Sequence, residues 1–254
     1  MISGITIYVL WLREMKRFMR AKSRIVGALA MPLFFMAFLG MGFNRMAVPG
    51  MSRDVNYMRF LVPGMIGMSL LFSSTFAGLS VLWDREFGFL KEIMVAPVSR
   101  VSIVLGRIAG GITTTLLQGL AILLISVLAG FKIDSLWRLA PAVLFMMLIT
   151  TTFIGLGLIF ASRMKDMQGF SIVMNFVVFP IFFLSGAVYP LKNLPAAVRL
   201  FSYFDPLTYG IDGLRGSLID VSVWPVSLSL TIMTGFSLFM VFLGAYFFEK
   251  SESI

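Results

Sequence analysis

The chain has 254 residues, of which 59% are hydrophobic and 13% charged, with a mean hydropathy of +0.94 and a formal net charge of +9. A soluble domain carries about 25% charged residues, so the composition points to the membrane. The absence of cysteine and histidine excludes disulfides, thiolate and imidazole chemistry and a Cys/His zinc site.

Residues 1–24 come first. Tyr8, Trp11, Leu12, Met15 and Met19 recur at three- and four-residue spacing, and Arg13, Lys16, Arg17, Arg20 and Arg24 fall on the other face. This predicts a basic amphipathic helix in the headgroup plane, an anchor that is also suited to form part of a platform for a cytoplasmic partner. No small-residue cleavage site follows the first apolar run, so the pattern does not fit a cleavable leader. A spanning helix needs about 20 mostly apolar residues. Six uncharged runs qualify, about 25–43, 60–83, 108–131, 139–162, 169–191 and 221–248. They predict an all-α polytopic membrane protein with six transmembrane helices, a single transmembrane domain over 1–254. The internal prolines Pro32, Pro63, Pro141, Pro180 and Pro225 mark kinks or helix ends.

Lys and Arg number thirteen on the side holding both chain ends and the second and fourth connections, against eight on the other side. The positive-inside rule therefore predicts cytoplasmic termini in a cell (inner or plasma) membrane. It also accounts for the net charge as basic loops, with no nucleic-acid partner. The runs hold only amides and hydroxyls, such as Gln118 and Asn175, so a mid-membrane carboxylate relay is disfavoured. No HExxH, GxSxG or GxxxxGK[ST] motif is present, which argues against an enzyme and against ATP hydrolysis by this chain. Gly106 with Gly110, and Gly155 beside Gly157, are candidates for close helix packing.

The second connection, 84–107, contains DREFGFLKEIMVAPVSR. Residues 84–95 suit a short helix with Phe87, Leu90 and Met94 on one face, stopped at Pro97. Such a segment either inserts its apolar side chains into a partner or lies on the bilayer. The fifth connection, 192–220, interleaves apolar residues with Asp205, Asp212 and Arg215 and predicts two short helices broken at Asp205–Pro206. Pairing of those charges is the expected arrangement, since a lone charge near an apolar interface is costly.

The 84–100 stretch resembles the cytoplasmic segment of type-2 ATP-binding-cassette (ABC) exporter permeases. Asp84, Arg85, Glu86, Gly88, Leu90, Lys91, Pro97, Ser99 and Arg100 carry the likeness. A second block, FPIFFLSGAVYPLKNLPAAVRLFSYFDPLTYGIDGLRG, is similar to the family's late signature through Tyr189–Pro190, Pro206 to Tyr209 and Leu214–Arg215. The branch resembles the daunorubicin-resistance and nodulation-factor export permeases.

The resemblance implies an ATP-driven exporter of an amphipathic, drug-like, lipid or lipid-linked glycan substrate. ATP and magnesium would be held by a separate ABC ATPase subunit, with no cofactor, metal or catalytic residue in this chain. Two permease copies, a homodimer, would share the membrane lipid. Arg85, Glu86, Phe87, Gly88, Leu90, Lys91, Glu92, Met94, Pro97 and Arg100 would belong to the coupling segment. The N-terminal helix, with Trp11, Arg13, Lys16, Arg17 and Arg20, would be the second contact. Tyr189, Pro190, Asp205, Pro206, Tyr209, Asp212 and Arg215 would belong to an external re-entrant hairpin; interfacial helices resting outside the bilayer are the simpler alternative. A passive channel or assembly scaffold without an ATPase is the rival function.

Overall fold

The computed structural model describes residues 3–43, 56–86, 100–164 and 168–251, and their regular elements are all helical. Helix α1 (Gly4–Arg20) starts at Ser3, whose hydroxyl accepts from the Thr6 N–H, and carries Arg17 and Arg20 in its last turn, where they complement the helix dipole. One residue, Ala21, separates it from α2 (Lys22–Phe35). Pro32 removes a backbone donor inside α2, and the helix then widens into a π turn at Met36–Gly40.

Two long helices follow, α3 (Tyr57–Glu86) and α4 (Arg100–Leu128), then α5 (Leu139–Arg163) after a single 3-10 turn. Helix α6 (Gln168–Val173) passes through a second π turn, Met174–Val178, into α7 (Phe179–Leu184). The short α8 (Ala196–Ser202) and α9 (Pro206–Ile219) precede the final α10 (Val226–Ser251).

Among the described residues five helices are long and apolar enough to span a membrane: Lys22–Gly40, Tyr57–Ser80, Val101–Leu128, Leu136–Arg163 and Val226–Phe247. A shorter apolar helix covers Ser171–Leu184. The fifth uncharged run, 169–191, is thus not helical to its end. Gly186 takes a left-handed φ of 70°, and the Ser185 hydroxyl donates to Phe182 O while accepting from the Ala187 N–H. A left-handed glycine just past a helix is a regular terminator, and it carries no charge that would interrupt an apolar run. Conversely, charges do not stop α3 at Trp83 or delay α4 to residue 108; both helices continue through them.

Helix α5 is the centre of the bundle, packed against α3, α4, α9 and α10. Its Gly155 and Gly157 lie on nearly opposite faces, as two steps of 100° require. A methyl group at Gly157 would stand 2.5 Å from the Thr75 carbonyl of α3, and one at Gly155 would stand 2.6 Å from the Met240 carbonyl of α10. These two glycines let both neighbours approach to backbone contact. Helix α9 is buried along its whole length among α3, α5 and α10. Asp205 caps its start, accepting from the Leu207 N–H at 2.9 Å, and Pro206 supplies the preset φ of the first turn.

Candidate functional site

At one end of the bundle α1 lies along the first half of α4. The Ser3 N–H donates to the Ser102 hydroxyl at 2.9 Å, and the Trp11 indole N–H donates to the Thr113 hydroxyl at 3.0 Å. Between these two bonds Leu10 is buried. Added methyls at Gly106 and Gly110 would meet Leu10 Cβ at 2.8 Å and Glu14 Cβ at 2.7 Å. The glycines singled out by the sequence therefore form the track on which α1 sits.

The apolar face of α1 is only partly covered by α4. Tyr8 and Met19, placed on the apolar face, are 58% and 68% exposed, whereas Leu10 and the Trp11 indole engage α4. Amphipathicity marks which residues avoid water; it does not tell a bilayer from a neighbouring helix, and the second signal lay on α4. Arg13, Lys16, Arg17 and Arg20 all belong to α1, with Lys16 and Arg20 exposed and Arg17 3.9 Å from Glu14.

The same end receives the close of α3 and the start of α4. Arg85 and Glu86 are the last two residues of α3, and Arg100 is the first of α4. Phe87, Gly88, Leu90, Lys91, Glu92, Met94 and Pro97 lie outside the described residues. Ser102, only two residues into α4, is the group that anchors the N-terminus of α1, so α1 meets the start of α4 at one end of the molecule.

At the opposite end Arg215 of α9 is 7% exposed. It donates through Nε to Phe60 O at 3.2 Å and through Nη2 to Gly186 O and Ala187 O, each at 2.9 Å. Its guanidinium stands 3.6 Å from the centroid of the Phe60 ring. Asp212 accepts from the Val223 and Trp224 N–H groups at 2.7 and 3.2 Å and from the Ser229 hydroxyl at 3.4 Å, which fixes the approach to α10. Asp205 accepts from Leu207 N–H and the Thr208 hydroxyl.

The three charges expected to pair with one another therefore do not: each is satisfied separately, mainly by backbone. Backbone groups match a buried charge without burying a second one, which avoids a second desolvation cost. Tyr209 donates to Tyr203 O at 3.0 Å, and Tyr189 donates to Phe183 O. Pro190 precedes the 3-10 turn Leu191–Asn193. The surface ion pairs Arg59–Asp134 (2.5 Å) and Arg138–Asp220 (2.9 Å) complete this end, and the Arg138 hydrogen bond holds the Asp220 carboxyl below the usual carboxylate range.

No group of three acidic side chains gathers as a metal site among the described residues. The geometry is that of a mechanical assembly. Two long helices leave a shared end and cross the bundle against a central helix, and one of them, α3, meets α9, the helix clamped at the far end.

Helices of this length and apolarity, around a wholly buried short helix, define a multi-pass membrane protein. The chain belongs to the ABC-2 type transporter family, whose model matches residues 6–219. It is similar to the inner membrane transport permease YadH of Escherichia coli K12, at 27% identity over 248 residues, 96% of this chain and 92% of the relative. It is likewise similar to nodulation protein J of Rhizobium leguminosarum bv. viciae, at 27% identity over 91% of this chain and 88% of the relative. The putative transport permease ycf38 of Cyanophora paradoxa is 28% identical over 91% of this chain and 80% of the relative. The chain is a transport permease subunit.

Proposed function

We propose that the chain is the membrane-spanning part of an ATP-driven exporter, in which a separate ABC ATPase subunit hydrolyses ATP with its magnesium and docks on residues 84–100 and on α1. The cargo is an amphipathic, drug-like, lipid or lipid-linked glycan molecule moved out of the cytoplasm, and two copies of the permease form the pathway. The observation that carries this reading is the convergence of α1 with the close of α3 and the start of α4. A push on the connection between α3 and α4 acts on two continuous helices of 30 and 29 residues, both packed against α5. The excess of Lys and Arg at this end supports a cytoplasmic orientation.

The test is co-purification with a candidate ABC ATPase subunit, followed by transport in vesicles. The wild-type pair is expected to co-purify and to transport only with ATP. The double substitution Glu86→Ala with Leu90→Ala is expected to release the ATPase while the permease stays folded in the membrane. A chain that purifies alone and supports flux in ATP-free vesicles is a channel instead.

A further inference from the structure

Helices α1, α2, α3 and α4 enclose a cavity of about 260 Å³. It is a slot. Its wall runs from Ser80 to Ser69 on α3 and from Arg107 to Gln118 on α4, about 16 Å along each helix at 1.5 Å per residue. The ends differ in chemistry. Towards the close of α3 Arg17, Arg24 and Arg107 line the slot, with Glu14 as the acidic side chain among the described residues. Glu14 stands 3.9 Å from Arg17. Among the described residues no carboxylate stands at ion-pair distance from Arg24, whose guanidinium lies 5.1 Å from the centroid of the Phe76 ring.

Deeper in, Met31, Met68 and Phe72 make the wall apolar. Two polar side chains interrupt it, Ser69 at 2% exposure and Gln118 at 5%. Ser69 Oγ and Gln118 Oε1 have no hydrogen-bond partner among the described residues. Buried polar atoms without partners are uncommon, and each raises the question of what satisfies it. The slot opens past α2, where Gly27 is exposed and Met31 is 41% exposed.

We propose that this slot binds one anionic amphiphile with a phosphate-bearing headgroup. The phosphate sits among Arg17, Arg24 and Arg107, where charge-assisted bonds to guanidinium groups are strong. The long arginine side chains bring it part-way down the slot. The linking oxygens and hydroxyls beyond it meet Ser69 and Gln118, and the chain leaves past Phe76 and Met31. A free phosphate would leave the apolar wall uncovered, and a zwitterionic headgroup would add a cation to a site already rich in them. The site lies within one protomer and does not depend on the proposed ATPase or on a second copy.

The purified chain in detergent is titrated with short-chain phosphatidylglycerol, with phosphatidylcholine of the same chains, and with inorganic phosphate. Native mass spectrometry counts bound lipid, and the melting temperature reports stabilisation. One phosphatidylglycerol per protomer is expected, with phosphatidylcholine weaker by about tenfold and inorganic phosphate without effect on the melt. Arg24→Gln is expected to weaken phosphatidylglycerol by about tenfold and to leave phosphatidylcholine unchanged. Met31→Trp, which removes no charge, blocks the side opening and lowers binding of both lipids. Lys16→Gln, on the exposed face of α1, changes neither.

A phospholipid retained through purification identifies the bilayer as the source. Phosphatidylglycerol bound only on addition identifies a site that awaits a phosphate-linked cargo. Equal binding of the two lipids, equal loss in Lys16→Gln and Arg24→Gln, or stabilisation by inorganic phosphate alone as strong as by lipid overturns the proposal. Should Arg24→Gln fail to fold, unchanged phosphatidylglycerol binding in Met31→Trp overturns it alone.

Discussion

Arg215 donates to three carbonyls at once, one on the first turn of α3 and two on the turn that closes α7, while its plane covers the Phe60 ring. Lysine keeps the charge but has neither the fork nor the flat face. Arg215→Lys is therefore expected to lower the melting temperature in detergent, and Arg215→Ala to cost about 3 kcal/mol or more, since buried acceptors lose their donor. The glycines of α9 are a second sensitive point. A methyl at Gly213 would stand 2.2 Å from ring atoms of Phe145, a side chain with no exposure. Gly213→Ala is expected to destabilise by about 1–3 kcal/mol through overpacking. Adding Phe145→Leu should recover part of that loss, a coupling read from a double-mutant cycle. The sequence identified Asp205, Asp212 and Arg215 as the charges that matter in 192–220. It could not say what they bond, because their partners are chiefly backbone groups, and every residue carries those. A carbonyl made available by the left-handed turn at Gly186 leaves no mark in a side-chain pattern.

At the scale of elements, the apolar runs located the long helices because burial in lipid demands length and apolarity. Their ends followed other rules. Gly186 ends α7 inside an uncharged run, and α3 continues past Trp83 through Arg85 and Glu86, both good helix formers. The seat of α1 was legible in two halves, an amphipathic segment and a Gly106–Gly110 pair, but nothing in either half names the other. Their contact can be tested directly because the chain has no native cysteine. The Ser3 N–H lies 2.9 Å from the Ser102 hydroxyl, so Ser3→Cys with Ser102→Cys is expected to form an intramolecular disulfide on mild oxidation, seen as a mobility shift reversed by reductant. Gly106→Leu forces α1 off α4 and should abolish that shift. A disulfide that persists in Gly106→Leu would mean that α1 is held elsewhere.

For the whole molecule, the uncovered faces are informative. Helix α10 exposes Leu238, Phe239 and Phe242, and its exposed hydroxyls satisfy themselves: Thr231 donates to Ser227 O and Thr234 to Leu230 O. Such a surface suits lipid. The α6–α7 helix is different. Asn175 is exposed within its π turn, beside Ile172 at 61% and Phe176 at 76% exposure. A side-chain amide has two donors and an acceptor, and Asn175 is exposed with no side-chain hydrogen bond among the described residues. Turned to hydrocarbon, it is costly; turned to a second copy or a wet pathway, it is not. The other π turn, Met36–Gly40, continues α2, and Phe34 and Phe38 are exposed there; π turns concentrate where helices do more than pack. The proposed second copy is therefore expected to cover α2 and α6–α7 and to leave α10 to the bilayer. A two-fold axis brings residues near it against their own counterparts. Asn175→Cys is expected to give an oxidation-dependent dimer band in membranes, and Leu238→Cys on α10 to remain monomeric under the same treatment. The reverse result would move the dimer face to α10 and leave the Asn175 amide facing a wet pathway within a single protomer.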